Sequence, residues 1–71
     1  SLMTKETQSN TQKVLEILNK AVTGISVQEL CKQLTLTFEE VMTAVRWIAR
    51  EYNIGLASNN GNLMVIGVEA S

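Results

Sequence analysis

Arg46 and Arg50 stand four residues apart, one helical turn, and are the residues of this chain best equipped for polar recognition. Each guanidinium offers a rigid fork of N–H donors that matches phosphate oxygens or the edges of bases. Thr37 and Thr43 add hydroxyls able to donate to phosphate, and Lys32 adds a positive charge upstream. Against them stand Glu39 and Glu40. A carboxylate accepts from cytosine, but beside phosphates it is mostly repulsive. The plainer role of the pair is structural, because acidic residues in a first helical turn favour the helix dipole and Glu40 completes a cap.

Catalysis finds no suitable residues. The 71-residue chain has no histidine, so the usual acid–base group near neutral pH is missing. Cys31 is its one cysteine and falls on the inward stripe of a short helix without an activating cluster, which reads as an inert core thiol. A lone cysteine excludes an internal disulfide, and a structural zinc site, which needs about four Cys or His ligands, is not expected of a chain with one cysteine and no histidine. Glu39 and Glu40, ~100° apart around a helix, do not converge as a catalytic pair. The four glycines are isolated at turns and in a hairpin, with no phosphate-cradling loop. The expectation is no enzyme, no cofactor and no metal.

Six Lys and Arg against seven Asp and Glu leave a net charge of −1, short of the basic footprint of a nucleic-acid binder. The longest apolar run, Leu63–Ile66, is far too short to span a membrane, and the N-terminus lacks the pattern of a signal peptide. A cytoplasmic protein without a membrane partner is expected. Ser1 and Leu2 ahead of Met3 read as an expression scar.

The elements that position these residues are clearly punctuated. Residues 1–8 are polar without periodicity and read as a disordered tail. Ser9 and Gln12 have capping-box spacing and open a helix to about Val22, with Val14, Leu15, Leu18, Ala21 and Val22 on one face. Gly24 stops it. Ser26 and Glu29 make a second box, with Ile25 and Leu30 spaced as a hydrophobic staple, for a short helix ending near Leu34. Thr37 and Glu40 make a third, stapled by Leu36 and Val41, for a helix from Phe38 to about Tyr52. Its inward stripe is Val41, Val45, Ile48 and Tyr52, with Phe38 and Ala44 beside it. Glu39, Thr43, Arg46 and Arg50 therefore point outward.

After Asn53 the period changes to two. Asn60-Gly61 marks a two-residue hairpin turn, which pairs Leu56 with Val65 and Ser58 with Leu63. Residues near Ile25 are placed to add a short third strand. The domain spans 9–68, with a tail at 69–71. Its class is α+β, mostly α: three helices and then a hairpin, the order of a winged helix-turn-helix whose hairpin is the wing.

The stretch Ala44-Val45-Arg46-Trp47-Ile48-Ala49-Arg50-Glu51, followed by Ile54, resembles a small bacterial winged-helix family, most of whose members have no known function. Ser26-x-x-Glu29-Leu30 fits it as well, and the likeness covers roughly Thr11 to Val68. It implies a stand-alone bacterial module and, by analogy, a transcription-associated one with duplex DNA as partner. A docked helix-turn-helix inserts its third helix into the major groove, which makes Lys32, Thr37, Thr43, Arg46 and Arg50 the candidate DNA contacts. The wing tip, residues 58–62, carries no Lys or Arg to grip a backbone.

The alternative is a protein-interaction module without DNA affinity. Trp47 falls on the flank of the third helix, away from the inward stripe, where it packs under the wing or tail or anchors an interface. With Leu63 and Val65 facing the core, Met64, Ile66 and Val68 form an apolar row on the other face of the wing. That row needs a cover, either the N-terminal tail through Met3 or a second copy of the chain. A homodimer is expected, with Trp47, Met64, Ile66 and Val68 as candidate interface residues.

Overall fold

The computed structural model describes residues 3–21 and 23–67. Helix α1 (Lys5–Lys20) is followed by strand β1 (Ile25–Ser26), helices α2 (Val27–Leu34) and α3 (Phe38–Ala49), and strands β2 (Ile54–Asn59) and β3 (Asn62–Gly67). Three helices and a β-hairpin wing appear in the expected order.

Helix α1 begins earlier than its sequence suggests. Thr4, in an extended conformation, is the N-cap, and its hydroxyl oxygen accepts from the Thr7 N–H at 3.1 Å. Residues 5–8 are therefore helical, and Ser9 and Gln12 lie inside the helix instead of capping it. The first turn is polar and held by its cap, so hydrophobic period gave no sign of it. Ser1, Leu2, Val22, Val68 and the tail 69–71 lie outside the described residues.

The two later helix starts follow their cap signals to different degrees. At α3 the box is complete: Thr37 N–H donates to Glu40 Oε1 at 2.9 Å, and Glu40 N–H donates to Thr37 Oγ1 at 3.1 Å. At α2 only half forms. Glu29 N–H donates to Ser26 Oγ at 3.0 Å, while the Glu29 carboxylate accepts from Gln33 Nε2 at 3.0 Å. Thr35 joins α2 to α3 in the left-handed region at φ 56°, which turns the chain sharply enough for a two-residue passage into the next cap. Helix α3 gives up its regular bonding after Ala49, although Tyr52 N–H still donates to the Ile48 carbonyl at 2.9 Å.

Val14 and Leu18 of α1, Val27 and Leu30 of α2, Val41, Ala44, Val45 and Ile48 of α3 and Val65 of β3 form one buried core. Cys31, Tyr52 and Leu63 pack on its edge, half-buried. The sheet has the order β1-β3-β2, all antiparallel. Leu56 pairs with Val65 and Ser58 with Leu63, and Ile25 pairs with Val65 from the other side. Asn60 and Gly61 both take positive φ, 53° and 82°, as a two-residue hairpin turn requires.

Candidate binding surface

Helix α3 carries the outward face that a helix-turn-helix turns toward the major groove. Glu39, Arg46 and Arg50 are exposed on it, and Thr43 is half-buried. The two arginines differ in what they touch. The Arg50 guanidinium carbon lies 5.1 Å from the centroid of the Trp47 ring, a cation–π contact that draws it toward the flank. Arg46 instead borders a groove of about 640 Å³ with Thr37, Phe38, Glu39 and Met42.

The hydroxyls among the candidates are already engaged. Thr43 Oγ1 donates to the Glu39 carbonyl at 2.8 Å, one turn back along the helix. Thr37 is tied into the capping box. Thr37→Ala should therefore lower stability by about 1 kcal/mol, read as a fall in the urea midpoint, with Thr37→Ser close to the parent. An unchanged midpoint would mean that this hydroxyl is not needed as a cap. Lys32 is exposed in the last turn of α2.

Phe38 is the residue that sequence reasoning undervalued. It is 58% exposed, more than any other large apolar residue described, in the first turn of α3. Its phase, about 60° around the helix from Val41, was the available signal. Nothing in the sequence alone says that no neighbour fills that flank.

The leading end of α3 is also more acidic than α3 alone suggests. Glu6 of α1 joins Glu39 and Glu40 in lining a recess of about 230 Å³ with Thr7, Asn10, Thr37 and Thr43. Among the described residues no group of His, Cys, Asp or Glu is arranged to hold a metal ion. Residues 58–62 of the wing include no cation, and every residue from Leu56 to Asn62 is exposed and uncharged.

Trp47 is half-buried on the α1 side of α3, where it borders a cleft of about 530 Å³ with Met3, Leu15 and Tyr52. It thus sits beside the N-terminal segment and not under the wing. Met3 lies here too, so it is not the cover of the outer sheet face. On that face Met64 is half-buried and Ile66 is 37% exposed. The expected interface residues Trp47, Met64 and Ile66 therefore belong to two separate surfaces, and Val68 lies outside the described residues.

Residues 3–67 match a family described as winged helix-turn-helix domain DUF2582. The chain belongs to this DUF2582 family. A solution NMR structure of protein BT2368 from Bacteroides thetaiotaomicron is similar to this DUF2582 domain, with 35% identity and a TM-score of 0.73. The likeness covers 89% of this chain and 76% of that one. No curated protein matches the chain. No helix among the described residues of this DUF2582 domain is long and apolar enough to cross a membrane.

Proposed function

We propose that this domain is a non-catalytic, cytoplasmic contact module whose partners are proteins, and that it does not read duplex DNA. One observation carries the reading. The leading turn of α3, which a docked helix-turn-helix brings to the base edges, presents the exposed ring of Phe38 beside Glu39 and Glu40. Glu6 adds a third carboxylate from α1. Phosphates are repelled by such a surface, whereas a protein surface that covers the ring gains about 25 cal/mol per Å² of apolar area. The groove lining fits a partner with an apolar side chain for Phe38 and Met42 and a carboxylate for Arg46.

Arg46 and Arg50 favour a second reading, DNA docking, because both are exposed and stand one turn apart on the face that this architecture turns to the major groove. A backbone-amide NMR titration with mixed-sequence duplex at low salt separates the two. The expected result is no shift along Thr37–Arg50 or in the 58–62 turn. Shifts there that fade as salt rises, and vanish in the double variant Arg46→Ala, Arg50→Ala, would make DNA the partner instead.

A further inference from the structure

We propose that β2 is a self-pairing edge, at which two copies of the chain join antiparallel about a two-fold axis at Leu56. β3 is the central strand, so β2 has one side bonded to it and, among the described residues, no strand on the other side. The free groups can be assigned. Asn59 and Asn62 flank the two-residue turn and so form a hydrogen-bonded pair. Bonded and non-bonded pairs alternate from there. Gly55, Ala57 and Asn59 direct their N–H and C=O groups to β3, and Ile54, Leu56 and Ser58 direct theirs to the open edge.

Native sheets blunt such an edge with lysine, proline, a bulge or a cover. None of the first three occurs in Ile54–Asn59, which reads IGLASN and carries no charge. Apart from Ile54, which packs against the core, β2 among the described residues has its close backbone neighbours mainly in β3. Leu56 shows the effect: it pairs with the fully buried Val65, on the helix side of the sheet, yet is 51% exposed. The strand overhangs the core.

A second copy fits these features. A two-fold interface needs one patch that complements itself. With the axis at Leu56, Leu56 faces its own copy and Ile54 faces Ser58, each pair exchanging two bonds, about six in all. The two Leu56 side chains cover one another on the helix side. No like charges meet across the axis, because the strand has none. The product is one sheet of order β1-β3-β2-β2-β3-β1. Its contact area is small, so association falls in the micromolar-to-millimolar range. The edge is separate from the α3 surface, and either reading can fail without the other.

Light scattering and sedimentation from micromolar to millimolar concentration, paired with amide hydrogen exchange, test this. The parent chain should shift from monomer to dimer mass, with protection rising at the Ile54, Leu56 and Ser58 amides. Leu56→Lys and Leu56→Asp, each alone, should weaken association by roughly tenfold or more, since like charges then meet on the axis. Mixing the two variants should restore a heterodimer, which an unfolded variant could not form. A monomer at millimolar concentration would overturn the proposal, whether the edge amides exchange freely or are protected by the chain's own segment. So would a dimer that Leu56→Lys leaves intact.

Discussion

Leu30→Ala removes about 2–5 kcal/mol of unfolding free energy, the largest loss expected of any truncation in this domain. Leu30 is 0% exposed and among the largest fully buried side chains. It projects from α2 into the cluster shared by α1, α3 and β3, so all three layers border the void that truncation leaves. A chain of 71 residues has about 4–10 kcal/mol to lose in total, which puts the variant near the threshold of folding. Urea denaturation followed by far-UV circular dichroism should show a lower midpoint with a similar slope. Leu56→Ala, at an exposed position, should stay within about 0.5 kcal/mol at concentrations where the chain is monomeric. A loss below about 1 kcal/mol at Leu30 would mean that the site collapses around the smaller residue.

Such sensitivity explains which parts of the fold could be read from sequence. The α2–α3 passage was legible because its signals are local: Ser26 and Thr37 cap within three residues of themselves, and Leu36 lies beside its cap. The Asn60-Gly61 turn was legible for the same reason, and it fixed the hairpin register. The start of α1 was not, because Ser9 and Gln12 have the spacing of a box and Thr4 does not advertise one. A capping pattern states only what a side chain is able to bond. Whether the helix has already begun depends on the residues before it.

The binding surface was less legible for a physical reason. Helical phase correctly turned Arg46 and Arg50 outward, since it follows from the buried stripe alone. Phase cannot say what stands next to a flank. Phe38 lies near the stripe and is exposed, while Trp47 lies far from it and is half-buried, because only the second has α1 and Met3 beside it. The exposure of Leu56 likewise depends on strand order. β1 pairs with β3 and leaves β2 outermost, and that long-range choice sets which strand is the edge.

Gly24 leads the chain into β1 in close contact with β3, and Gly24→Ala is expected to cost about 2–3 kcal/mol. Its φ of 104° lies outside the left-handed well that asparagine or threonine can enter, so any side chain is strained there. Space is also short. An added Cβ would stand 3.1 Å from Ile66 Cγ1 and 3.2 Å from the Val65 carbonyl oxygen. The isoleucine tip can move, but the carbonyl belongs to the central strand. Relief therefore requires the chain to draw back at the point where Ile25 pairs with Val65. Gly55→Ala is the matched control, because its Cβ would meet only Ile66 Cβ, at 3.9 Å, and its backbone φ is ordinary. It should be neutral or slightly stabilising, as alanine loses less entropy than glycine in a strand. Urea midpoints of the two variants give the difference, and amide exchange at Ile25 and Val65 shows whether β1 has detached. Equal midpoints would refute the tight approach of Gly24 to β3. A large loss confined to Gly24→Ala, with faster exchange at Ile25, would show that one backbone conformation holds β1 on β3.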